Sequence, residues 1–384
     1  MHNRECLEAF WYLGMGMKKH MTKVWCIMVL LPVYVFSATL AEKYPSYAYV
    51  FSEFSIDESY IDDSEFEFFV LKHEKKIKQF YKRSMKKGER VLPLMKDHLM
   101  VDGLSDLFIY ISMIESGFSP AIVSSKKAVG LWQFMPATAK HYNLAVCNTN
   151  DERCDPVSST NAAIAYLRKL HAEFGKWYLA VMAYNCGEGR LRKAISKAGS
   201  NDLSILIDED AKYLPKETRD YIKKILLAAM IGENELLDYA ERKSELNNAL
   251  LQVEVSAGTK LSEIASLLSM PSSALQKMNK QYRDGVVPKE KQRYKINIPE
   301  EKMMLFYMKY EIEEEDGKKR SVVKPHLISH TVQLGDTLEI LAIKYQTDRE
   351  EIKEANRLKS DALTLEKLLL IPVSQELFEK MLSE

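Results

Sequence analysis

The sequence predicts a mainly α-helical chain that ends in two small strand–helix–helix–strand modules. Two observations carry this. Apolar residues recur at three- and four-residue intervals from Asp62 to about Tyr239, with few strand signals. The stretch 250–373 then repeats itself at one fixed offset. The composition is that of a folded protein of two to three domains, with 384 residues, 46% hydrophobic and 28% charged. Lys+Arg and Asp+Glu each number 54. This balance argues against electrostatic capture of nucleic acid or of an anionic membrane as the main activity. A single long apolar run excludes a polytopic membrane protein.

The elements follow in chain order. Lys18, Lys19 and Lys23 precede the apolar run Val24–Ala38, the pattern of an export signal. Thr39-Leu40-Ala41 offers small-x-small cleavage after Ala41, and Val35-Phe36-Ser37 is a second option. A leader of ordinary length starts at Met17, so residues 1–41 are read as a signal peptide with its true start there. Cys26 lacks the Leu-x-small-Cys context of a lipid anchor. The expected location is therefore the periplasm or cell envelope of a Gram-negative bacterium, with no lipobox.

Residues 42–60 are rich in Tyr and Ser without a clear period, and an irregular lead-in is expected, followed by a helix up to about 85. Ser159 and Thr160, after Pro156, are read as a helix start, with Ala162, Ala163, Tyr166, Leu167, Leu170 and Phe174 as its apolar stripe and Gly175 as its stop. Glu217–Met230 is a second clear helix, with Tyr221, Ile225, Leu226 and Ala229 on one side. Both stripes are expected to be core packing.

Of five cysteines, Cys6 and Cys26 fall in the leader. Cys147 and Cys154 bracket the polar stretch 148–153, and a disulfide between them is expected in an oxidising compartment. The Cys and His residues lack zinc-ligand spacing, so no metal is expected. Cys186 is read as a small buried residue.

In the repeat, Gly258 pairs with Gly335, Leu261 with Leu338, Ala265 with Ala342, Leu275 with Ile352 and Asn279 with Asn356, each 77 positions apart. Ile298-Pro299 then matches Ile371-Pro372. The modules are bounded at 250–300 and 328–373. Between them, 301–327 holds the charge run Glu311–Arg320 and is expected to be a solvated linker or helix end. The second copy carries His330-Thr331-Val332, Gly335-Asp336-Thr337-Leu338, Ala342, Asn356 and Leu370-Ile371-Pro372. It resembles a LysM module, which implies binding to glycans containing N-acetylglucosamine. The first copy has Gly258-Thr259-Lys260 in place of Gly-Asp-Thr and reads as a degenerate LysM-like module.

The chemistry is expected at 86–240. Leu104–Ile114 is apolar almost all round, so as a helix it must be buried. Glu115 stands at its end, before Ser116 and the helix stop Gly117. Apolar surroundings and the negative end of the helix dipole both disfavour its charge. A carboxylic acid still protonated near neutral pH is what protonation of a glycosidic oxygen requires.

Three later segments add to this. They are Ala128–Ala139, which contains Gly130-Leu131-Trp132-Gln133, Ala183-Tyr184-Asn185-Cys186-Gly187-Glu188-Gly189, and Glu217-Thr218-Arg219-Asp220-Tyr221-Ile222. Together with Glu115-Ser116 they resemble lytic transglycosylases of the goose-lysozyme-like (SLT) class with a C-terminal LysM module. The resemblance implies a goose-type, lysozyme-like helical domain with a long sugar groove. It implies Glu115 as the single catalytic acid and Ser116 as a residue that positions the acid or the substrate. Gly130, Leu131 and Gln133 fall on the family's Gly-Leu-x-Gln motif and would belong to the substrate site, Gln133 by hydrogen-bonding sugar and Gly130 by letting the backbone come close. Tyr184 and Asn185 would contact the N-acetyl sugar near the scissile bond, and the Tyr221 hydroxyl would reach the glutamate. Trp132 and Phe134 are read as core aromatics and Glu188 as a turn residue. Cys186 departs from the family's usual Ala or Ser.

The motifs supply no second carboxylate, although paired carboxylates are the rule in glycosidases. Asp151, Glu152 and Asp155 lie in the polar loop and are poor candidates for one. A lone acid suits a reaction in which the sugar's own hydroxyl attacks. The resemblance therefore implies cleavage of peptidoglycan between N-acetylmuramic acid and N-acetylglucosamine with closure of a 1,6-anhydro ring. The alternatives are a lysozyme-like hydrolase and a non-catalytic wall-binding scaffold. No cofactor is expected, and neither is nucleic acid or a stable protein partner. The partner is the glycan strand.

Overall fold

The computed structural model describes residues 39–239, 249–313, 319–321, 326–356, 358, 360–365, 367–374, 377 and 378. The apolar run of the predicted leader lies outside the described residues. No helix among the described residues is long and apolar enough to cross a membrane.

The lead-in is helical, contrary to expectation. Helices Leu40–Lys43 and Tyr47–Glu53 precede a 3-10 turn at Glu58–Asp62. Tyr47, Phe51 and Phe54 already carry the helical interval, and Val50, Phe51 and Phe54 are fully buried. The long helix Ser64–Gly88 starts at Asp63, whose side chain accepts from the Phe66 N–H at 2.8 Å. Its inner face is Phe66, Phe69, Val70, Ile77 and Tyr81.

The centre of the helical region is the short helix Ile109–Ser116, entered through a 3-10 turn at Asp106–Phe108. Ile109, Tyr110, Ile111, Ser112 and Met113 are all buried, because the helix is apolar around its whole circumference. The helix Lys216–Tyr239 packs against it and against the equally apolar helix Trp177–Cys186. Each fully buried Leu, Ile or Phe here contributes roughly 1.5–3 kcal/mol.

The next helix begins earlier than expected, at Pro156 rather than at Ser159. Asp155 is its N-cap and accepts from the Ser158 N–H at 2.8 Å, while Pro156 supplies a pre-set first turn. Ser159 and Thr160 are buried inside the helix, and Gly175 ends it in the left-handed conformation at φ 74°.

The two modules share one plan. Strand Leu250–Ser256, helices Leu261–Leu267 and Ser272–Met278, and strand Arg293–Pro299 form the first. Strand His326–Thr331, helices Leu338–Lys344 and Arg349–Asn356, and strand Leu368–Val373 form the second. In each the strands pair antiparallel, Val253 opposite Ile296 and Ile328 opposite Ile371. The repeated asparagine has a physical reason. Asn279 donates to the carbonyls of Leu275 and Asn297 and accepts from the Asn297 N–H. Asn356 does the same with Ile352 and Leu370. One amide thus ties the second helix to the second strand in both copies.

Of the stretch 301–327, residues 314–318 and 322–325 lie outside the described residues, and the part before the charge run is a packed helix. Helix Met303–Lys309 packs Phe306, which is fully buried, into the first module's core beside Val255, Leu261 and Ile298. Glu311–Glu313 and Lys319–Ser321 then form a short antiparallel hairpin. The aromatic residues Phe306 and Tyr310 outweigh the neighbouring charges in deciding where this segment goes.

The expected disulfide is absent. Cys147 and Cys154 are both free thiols, one exposed and one buried. The loop is closed by backbone instead: Cys147 N–H donates to Asn150 O and Glu152 N–H to Ala145 O, each at 2.9 Å. Cys147 turns its sulfur to the Asn150 carbonyl at 3.2 Å. Cys154 belongs to the 3-10 turn Glu152–Cys154 below, where burial lifts its thiol to about 12.

Candidate active site

Glu115 occupies the last turn of the Ile109–Ser116 helix, which Gly117 closes at φ 59°. The carboxyl therefore sits at the negative end of the helix, beside the Tyr221 hydroxyl, and is half-buried. Burial is the first cause that raises its pKa, to about 7, and the exposed Glu217 adds a smaller push in the same direction. One group opposes them. Tyr221 Oη donates to Glu115 Oε1 at 2.6 Å. Tyr221 is itself buried, and its hydroxyl is pushed well above the ordinary range, so it remains a donor at neutral pH.

The helix is anchored to the turn that bears the second motif. Ser112 Oγ and Ser116 Oγ both donate to the Leu131 carbonyl, each at 2.9 Å. Ser116 also donates to Ser112 O and accepts from the Ser119 N–H. Its hydroxyl is fully engaged and it is buried, so it ties the Ile109–Ser116 helix to the turn. Leu131 likewise puts its side chain in the core and offers only its carbonyl.

Gly130 adopts φ 86°, and a Cβ there would stand 1.8 Å from the Arg153 carbonyl oxygen. Only glycine fits this approach. Gln133 follows at φ 49°, half-buried, with its Nε2 donating to Gly130 O at 2.9 Å and Ile122 O at 3.3 Å. Trp132 and Phe134 are core aromatics as expected, and Trp132 Nε1 donates to Thr160 Oγ1 at 3.0 Å.

The third motif ends the Trp177–Cys186 helix. Tyr184 Oη donates to the Trp132 carbonyl at 2.7 Å, and its ring lies 5.2 Å from that of Tyr166. Asn185 is half-buried and accepts from Thr218 Oγ1 at 2.8 Å. Cys186 is half-buried rather than buried. Glu188 opens the helix Glu188–Ala198 and pairs with Lys169.

The structure thus gathers Glu115 with Tyr221, joins Ser116 and Leu131, and links Tyr184 to the same turn through Trp132. The polar-loop carboxylates are committed elsewhere: Asp151 to Arg153, Asp155 to a helix cap, Glu152 to the Ala145 N–H. Thr218 and Arg153 were not singled out in the sequence. Thr218 lies within the run 217–222 that also holds Tyr221, and Arg153 stands among Asp151, Glu152 and Asp155 ahead of the Pro156 helix start, which was the available signal.

Replacing Tyr221 with Phe removes the one bond that lowers the Glu115 pKa. The alkaline limb of the pH–rate profile is expected to move to higher pH, with kcat about 10- to 100-fold down. A profile that keeps its limb contradicts this assignment.

The family model for the transglycosylase SLT domain matches residues 97–207. That for the LysM-like domain of lytic transglycosylase MltD matches 249–313, and that for the LysM domain matches 330–372. Membrane-bound lytic murein transglycosylase D of Escherichia coli is 28% identical over 262 residues, which is 66% of this chain and 57% of the relative. Soluble lytic murein transglycosylase of the same species is 29% identical over 117 residues, 29% of this chain and 18% of the relative. Among solved structures, the 70 kDa soluble lytic transglycosylase from Escherichia coli aligns with TM-score 0.32 and 24% identity, over 36% of this chain and 23% of that one. The chain spans little more than half the length of the first of these relatives. It carries a transglycosylase SLT domain followed by a LysM-like and a LysM domain, and is homologous to membrane-bound lytic murein transglycosylase D.

Proposed function

We propose that the chain is an exported peptidoglycan lytic transglycosylase that works in the periplasm with one carboxyl group. The observation that carries this is Glu115, raised to about 7 and bonded to the Tyr221 hydroxyl, with the polar-loop carboxylates bound up in structural contacts. Glu115 in its acid form protonates the oxygen between N-acetylmuramic acid and N-acetylglucosamine. The resulting carboxylate takes the proton of the 6-hydroxyl on the same muramic acid, whose oxygen closes on C1. Glu115 is thereby returned to its acid form, and no outside water is consumed. Intramolecular attack of this kind has a high effective concentration. Tyr221 steadies the carboxylate between the two steps. Gln133, Tyr184 and Asn185 line the sugar site beside it. The LysM module at 328–373 holds the enzyme on its polymer and raises the local substrate concentration.

A two-carboxylate hydrolase would need either a base for water at roughly 6.5–9.5 Å from the first or a carboxylate nucleophile at roughly 5–5.5 Å. The commitments of Asp151, Glu152 and Asp155 count against that reading. Digestion of purified sacculi followed by mass spectrometry of the muropeptides separates the two. The expected ends are anhydromuramic and lighter by one water; reducing muramic ends would favour the hydrolase.

A further inference from the structure

The Gly130–Phe134 turn is held from behind by a buried guanidinium. Arg153 is 5% exposed. Its Nε and Nη2 donate to Asp151 Oδ1 and Oδ2 at 2.9 and 2.8 Å, a bidentate pair. Its Nη1 donates to the carbonyls of Lys127 and Phe134, both at 3.1 Å. Those two carbonyls bracket the turn. The Arg153 carbonyl oxygen meanwhile occupies the space that a Cβ at position 130 would need. Both ends of this residue therefore bear on the segment carrying Gly130 and Gln133.

Asp151, 1% exposed, receives a further donor from the first LysM-like module: Arg283 Nη2 at 2.9 Å. Its N–H donates to the Gln281 carbonyl at 2.9 Å, and Asn150 bridges to Tyr282. Beside it, Asp155 accepts from Asn297 Nδ2 at 2.8 Å, Gln252 Nε2 at 3.2 Å and Gln281 Nε2 at 3.4 Å. The module spends these polar side chains on the helical domain.

We propose that Arg153 and Asp151 are positioning residues for Glu115, and that Arg283 makes the first LysM-like module a working part of the active site. The proposal rests on Glu115 being the acid. The path is short and physical. Arg283 holds Asp151, Asp151 orients the Arg153 fork, and the fork sets the turn. The turn presents the Leu131 carbonyl to Ser112 and Ser116, on the helix that carries Glu115. Lysine at 153 keeps the charge but loses the planar fork that makes these bonds together. A displaced turn misplaces the acid in the transition state and shifts one sugar contact, Gln133, while Tyr184, Asn185 and the LysM module still hold the strand, so kcat falls far more than KM rises.

The test uses the full exported chain, purified glycan strands as substrate, and kcat and KM normalised to folded protein. Arg283→Met is the decisive variant, since that side chain is 50% exposed and the buried Asp151 keeps its bidentate partner Arg153, so the fold is expected to be retained. Its kcat is expected to fall about 3- to 10-fold with KM within about twofold. Arg153→Lys is expected to lose about 100-fold in kcat. In an Asp151→Asn background, Arg283→Met should add nothing. Wild-type kcat in Arg283→Met, or a loss confined to KM, overturns the proposal, whether or not Arg153→Lys folds. If the wild type releases reducing ends yet shows the expected kcat pattern, the ring-closing reading fails and the positioning role stands.

Discussion

Replacing Glu115 with Gln is expected to reduce cleavage of sacculi at least about a thousand-fold while leaving binding to them intact. General acid–base catalysis contributes about 10²- to 10⁴-fold for a single transfer, and this side chain serves two. The amide keeps the size of the acid and can still accept the Tyr221 hydrogen bond, so the fold is retained. The same variant has a stability signature. The Glu115 carboxyl has a folded-state pKa of about 7, against about 4.3 in an unfolded chain. The folded state therefore binds more protons in that window, and stability falls as pH rises through it. Below the window the group costs nothing; above pH 7 its full cost is present. At about 1.36 kcal/mol per unit, and allowing for partial exposure, the Gln variant should be more stable than wild type by about 1–2 kcal/mol at pH 8 and equal to it at pH 4. Denaturant titrations at the two pH values measure this.

The second large effect is expected at Gly130. Alanine there must adopt φ 86° and place its Cβ 1.8 Å from the Arg153 carbonyl oxygen and 2.8 Å from the carbonyl carbon. Both are backbone atoms and cannot swing away as a side-chain tip could. Left-handed strain of about 1–2 kcal/mol adds to an overpacking cost of about 1–3 kcal/mol. The turn has to move, and with it the Leu131 carbonyl that receives Ser112 and Ser116. Thermal unfolding should show a loss of about 2–5 kcal/mol, and cleavage should fall about 100-fold in the protein that remains folded. An alanine variant with wild-type activity would remove the turn from the account of the site.

The helices were legible where burial left a period. The Leu104–Ile114 run, apolar almost all round, had to be buried, but its α-helix begins only at Ile109, after the 3-10 turn Asp106–Phe108 that Ser105 caps, and Gly117 marks its end. The repeat was legible because Gly258/Gly335 and Asn279/Asn356 each perform one backbone task that another residue does badly. The start of the Pro156 helix was misread because Ser159 and Thr160 are common caps, although Asp155-Pro156 already had the cap-then-proline order. The Tyr/Ser-rich lead-in hid Tyr47, Phe51 and Phe54 at helical spacing. Cysteine spacing alone suggested a disulfide across 147–154, but spacing carries no information on which way each sulfur turns. The Glu311–Arg320 charges drew attention from Phe306 and Tyr310 just before them. At the site, Glu115 could be argued from helix position and surroundings. Tyr221 lies more than a hundred positions away, and only a resemblance could join the two before the fold did. Arg153 and its link to Arg283 are tertiary facts with no local period.

The central claim is that one carboxyl group stays protonated near neutral pH. The most direct measurement is titration of the Glu115 carboxyl carbon by NMR in protein labelled at glutamate side chains, assigned by difference against the Gln variant. A midpoint near 7, moving up in Tyr221→Phe, is the expected result; a midpoint near the free-acid value of about 4.3 contradicts the account.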